Sequence, residues 1–140
     1  MKRLIPGLAG CVLAALALAQ ERLPAPAAAE VYFISPQNGA VVHGPVTVRF
    51  GLKGMGVAPA GVKIDNTGHH HLLIDTDMSG LNLDAPIPAT DKILHFGKGQ
   101  TETSLTLPAG KHTLELVFAD FAHMPFNPPL HSQKITITVD

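Results

Sequence analysis

Thr101-Glu102-Thr103-Ser104-Leu105-Thr106-Leu107-Pro108-Ala109-Gly110-Lys111-His112-Thr113-Leu114-Glu115-Leu116-Val117-Phe118 decides the fold class. Thr101, Thr103, Leu105 and Leu107 alternate with polar residues, and so do Leu114, Leu116 and Phe118 with their neighbours. A repeat of two is the period of a strand that buries one face. Pro108-Ala109-Gly110-Lys111 between the two runs is a turn sequence. The same alternation runs through Val46, Val48, Phe50 and Leu52, and through Ile135, Ile137 and Val139. Val31-Tyr32-Phe33-Ile34 is a further short strand, closed by the turn cluster Ser35-Pro36-Gln37-Asn38-Gly39. No stretch after residue 30 sustains a helical period. The expected fold is all-β: an antiparallel, immunoglobulin-like β-sandwich of seven to eight strands.

Working outward, the N-terminus reads differently. Lys2 and Arg3 precede an apolar, alanine-rich run from Leu4 to Ala19, too short for a membrane span. Residues 1–19 are expected to be a signal peptide, cleaved after Ala17-Leu18-Ala19 or later at Ala27-Ala28-Ala29. Leu8-Ala9-Gly10-Cys11 offers the alternative of a lipoprotein box. Residues 20–30, rich in Pro and Ala, read as a flexible lead-in, and residues 31–140 as one domain. The expected location is periplasmic or secreted.

Loss of residues 1–19 removes Lys2 and Arg3, leaving eight basic against eleven acidic side chains. No basic cluster remains, which argues against nucleic acid as a partner. No transmembrane segment is expected in the mature chain. Cys11 is the one cysteine, so residues 20–140 support neither disulfides nor thiolate ligands nor thiol catalysis. The motifs G-x-S-x-G and H-E-x-x-H are missing, and no enzymatic activity is expected.

Chemistry concentrates in Gly68-His69-His70-His71-Leu72-Leu73-Ile74-Asp75. On a strand His69 and His71 share a face and His70 takes the other. Leu72 and Ile74 accompany His70, which points His70 inward. The opposite face then needs covering by the long segments Lys53–Gly68 and Thr76–Lys92. Two imidazoles spaced in this way can reach one ion. The expected metal ligands are His69 and His71 with His95 or His123 from neighbouring loops. Asp75 or Asp120 is a candidate ligand or orienter of an imidazole, and Met124 a candidate neighbour whose thioether would favour copper. Copper and zinc are the expected metals. His43 and His112 are assigned structural roles. The competing reading is an interaction or adhesion-type module that binds an envelope protein or a cell-envelope glycan, with its histidines in a hydrogen-bond network around Asp75 and Asp120. Nothing in the sequence indicates an oligomeric state.

Several motifs occur together in order: Gly68–Asp75, His95-Phe96-Gly97-Lys98-Gly99-Gln100-Thr101-Glu102, Pro108–Leu114, Asp120 with His123, and Pro128-Pro129 with Ser132. In this combination the chain resembles a family of secreted bacterial domains of unknown function. The resemblance implies an exported single domain and no particular activity.

Overall fold

The computed structural model describes residues 20–140. The expected signal peptide, with Cys11, lies outside them. Ten strands follow in order: β1 (Glu30–Ser35), β2 (Val41–Val42), β3 (Val46–Lys53), β4 (Gly56–Val57), β5 (Thr67–Ile74), β6 (Ile93–His95), β7 (Glu102–Leu105), β8 (Gly110–Ala119), β9 (Pro125–His131) and β10 (Ile135–Val139). A single 3-10 turn, Met78–Gly80, lies between β5 and β6.

These strands form an all-β sandwich. One sheet has the order β1-β3-β7. The other has the order β2-β10-β8-β5-β4, with β6 added to β5 and β9 to β8. The turn at 108–111 therefore carries the chain from one sheet to the other. Most pairings are antiparallel, as expected. The exceptions are β2 on β10 and β4 on β5, two-residue parallel pairs at sheet edges. These short edge strands, with β6, raise the count above seven or eight; their runs are too brief to show alternation.

β8 organises the larger sheet. Leu114 to Ala119 pair with β5 along one edge. The other edge is divided between β10, at Gly110–Leu114, and β9, at Val117–Ala119. Ser132 fills the gap: its N–H donates to Leu116 O at 2.8 Å and its Oγ accepts from Leu116 N–H at 2.9 Å. Leu114, Leu116 and Phe118 face the core between the sheets. They pack with Leu72 and Ile74 of β5, Val46, Val48 and Phe50 of β3, and Ile135, Ile137 and Val139 of β10. The alternation read from the sequence thus maps onto burial.

The reverse face of the larger sheet is also covered. Leu73, Val117, Ala119 and Ile93 pack there with Ile87, and Met78 and Leu81 lie against them. The Thr76–Lys92 segment supplies Met78, Leu81 and Ile87. It is a third layer, which explains its length. Residues 20–30 are less free than their composition suggests. Asn127 N–H donates to Leu23 O at 2.8 Å and Ala25 N–H to Asn127 O at 3.0 Å. The Arg22 guanidinium donates to the carbonyls of Pro125 and Phe126 at 3.2 and 2.5 Å. Pairing with β9 fixes this segment, a tertiary effect invisible to composition.

Among the described residues, no helix is long and apolar enough to cross a membrane.

Candidate metal centre

β5 sets the site by pleating. His70 points into the sandwich, where its ring lies 5.1 Å from Phe50 and 4.9 Å from Phe118, centre to centre. His69 and His71 point to the reverse face. Gly68 lets β5 approach: a Cβ there would fall 2.2 Å from Ala119 O and 2.9 Å from the Phe118 ring. Register does the rest. His71 pairs directly with His95 of β6, and His69 with Ala119, the last residue of β8. Cross-strand partners share a face, so His95 joins the two β5 imidazoles.

His123 arrives from the turn after β8. Asp120 shapes that turn: its Oδ1 accepts from Ala122 N–H at 2.8 Å and Met124 N–H at 2.9 Å. Its N–H donates to Met124 O at 3.0 Å and its carbonyl accepts from His123 N–H at 2.9 Å. His123 takes the left-handed conformation this turn requires, with φ of 66°. His123 O in turn accepts from Ile87 N–H at 2.9 Å, tying the turn to the covering segment.

Four imidazoles therefore meet. Ring centres of His69 lie 4.9 Å from His71, 5.0 Å from His95 and 4.9 Å from His123. His95 and His123 face each other with Nε2 atoms 3.1 Å apart. One ligand nitrogen from each of His69, His95 and His123 lies within 4.8 Å of the others, so this triad can hold a metal ion. His71 is the nearby fourth ring, 5.2 Å from His95 and 6.0 Å from His123. Bonds of about 2.0–2.1 Å in a tetrahedron place neighbouring nitrogens about 3.3 Å apart, close to the His95–His123 separation.

Both nitrogens of His69 and of His71 are buried at 0% exposure without a hydrogen-bond partner, as are those of His70. Burial lowers the His71 pKa to about 2, with the neighbouring imidazoles adding to the effect. Burial, then His123 and His95, lower His69 to about 4. Burial alone takes His70 to about 4. His95 is lowered by partial burial and by His123. At neutral pH the buried rings are neutral, the form that binds metals.

Two expectations need correction. Asp75 does not orient a site imidazole. It follows β5 at φ 55° and binds His112, whose Nδ1 lies 2.8 Å from its Oδ2, and Thr113 N–H at 3.0 Å. Burial would raise its pKa, but the bonds from His112 and Thr113 hold it below the usual carboxylate range. The strand runs four residues from His71 to Asp75, which takes the carboxylate to the far end. Asp120 bonds no imidazole either; it holds the turn carrying His123. Met124 is fully buried, and its backbone serves that same turn. The histidine hydrogen-bonded to Asp75 is thus His112, which lies outside the group of His69, His95 and His123. His112 has the structural role assigned to it, clamped between Asp75 and Pro108 O, at 2.7 Å from the latter.

Gly97 stood in the His95–Glu102 motif without a role at the site. A Cβ on Gly97 would meet the His95 ring at 2.2 Å from Cε1 and 2.7 Å from Nε2. The His95 imidazole lies where a side chain at 97 would be.

Residues 48–140 match the family described as a domain of unknown function, DUF4399. The chain belongs to that family. The DUF4399 match spans β3 to β10 and includes all four site histidines. No curated protein matches the sequence. Among solved structures, an endo-beta-1,4-mannanase from Thermotoga petrophila is similar at 18% identity with a TM-score of 0.46. The likeness covers 80% of this chain and 20% of that enzyme. At those values it assigns neither an activity nor a substrate.

Proposed function

We propose that this DUF4399 domain is an exported, non-catalytic protein that binds one copper or zinc ion through His69, His95 and His123, with His71 as the fourth imidazole. The observation that carries the reading is the set of unpartnered nitrogens on His69 and His71. A buried polar atom without a partner costs about 1–3 kcal/mol, and a metal bond to each ring removes part of that cost. Imidazole donors suit zinc and copper. Burial keeps the His69 and His71 rings neutral at pH 7, so a metal binding to those two releases few protons. Export rests on the Lys2–Ala19 pattern, and a periplasmic or secreted location follows from it.

Metal titration of the purified domain tests this. Metal-free protein is expected to bind one equivalent of copper(II) or zinc(II). His69→Ala/His71→Ala is expected to lose that binding, whereas His43→Ala, at an exposed site paired with Asp140, keeps it. Gly97→Ala forces the His95 ring aside without touching the core, and a 10- to 100-fold weaker affinity is expected, the size typical of lost ligand orientation. Equal affinity in the wild type and the double variant would end the proposal.

A further inference from the structure

We infer that the bound ion carries a small exogenous anion at a fifth, outward coordination position, on the side of His95 and His123. The inference rests on the metal reading above and goes beyond it. His69 and His71 are fully buried, whereas His95 is exposed and His123 half-buried. The two deeper rings close the inward side, and the outward side faces solvent.

Charge decides what occupies that side. Every donor in the group is an imidazole, which brings no negative charge to an ion, and among the described residues no carboxylate oxygen joins it. The nearby carboxylates are committed elsewhere. Asp120 Oδ1 accepts two backbone N–H groups of its own turn. Glu115, on the same sheet face, binds His131 at 3.0 Å and Met78 N–H at 3.3 Å. Val117 and Ala119, directly across from His71 and His69, make the adjoining wall apolar. A divalent ion held there keeps its full charge beside low-dielectric surroundings, which is costly without a counter-charge. A small anion at the exposed position supplies it. The ligand class is a compact anionic donor: hydroxide, a halide, azide or a small carboxylate.

Azide titration of the copper(II)-loaded protein reads this directly. Expected is a saturable azide-to-copper charge-transfer band at one azide per copper, absent from His95→Ala/His123→Ala, whose changes lie at the rim. Copper uptake with no azide band overturns the anion inference and leaves the metal reading standing. An azide band that persists in the rim variant places the copper on other histidines and overturns the inference as well. Failure to take up copper or zinc overturns both.

Discussion

Metal-free protein taken from pH 7 to pH 4 is expected to unfold. His69 and His70 have folded pKa values of about 4 and His71 of about 2, against 6.5 when unfolded. The unfolded chain therefore binds more protons than the folded one in acid. Stability is full above 6.5 and falls as the pH drops towards the folded values. Each unit of pKa difference is worth about 1.4 kcal/mol. At pH 4 each of the three rings represents about 3 kcal/mol, and together about 9 kcal/mol, comparable with the whole margin of a typical domain. His112 works in the opposite direction. Its bonds to Asp75 and Pro108 O raise its pKa, so its contribution is intact below 6.5 and lost as pH rises through the raised value. One such pair does not offset three buried rings. Circular dichroism in the presence of a chelator should show loss of β-structure with a midpoint between pH 6.5 and 4. A fold unchanged at pH 4 would mean that the three rings are not held neutral in the interior.

The two β5 histidines of the reverse face were legible because pleating alone sorts them. His69 and His71 share parity, and Leu72 and Ile74 betray the inward face. His95 and His123 were legible only as members of a group. What brings His95 to His71 is the register of β6, a three-residue strand with too little alternation to show itself. What brings His123 is a left-handed turn held by Asp120, and a one-dimensional reading sees an aspartate near a histidine without seeing which atoms it bonds. Asp75 misled for the same reason. Its spacing keeps it on the face of His71, yet a strand rises about 3.3 Å per residue, so it ends about 13 Å away. Gly97 was visible only as part of a motif, because an absent side chain is informative only once the ring that occupies its place is known.

Replacing His71 by leucine is expected to make the metal-free protein more stable. His71 is fully buried with two unpartnered nitrogens, beside Leu73 and across from Val117. Leucine is close in volume, so little packing strain is introduced. Removing two orphaned polar atoms should gain about 2–4 kcal/mol, seen as a rise in Tm of about 10 °C. The acid midpoint should move down as well, since the most strongly depressed of the three rings is gone. Metal affinity should fall in the same variant, because the inward imidazole is lost. Stability that rises as a binding property disappears marks a residue kept for function. A purely structural His71 predicts the reverse sign: His71→Leu would then lower Tm, and calorimetry of the metal-free variant separates the two cases.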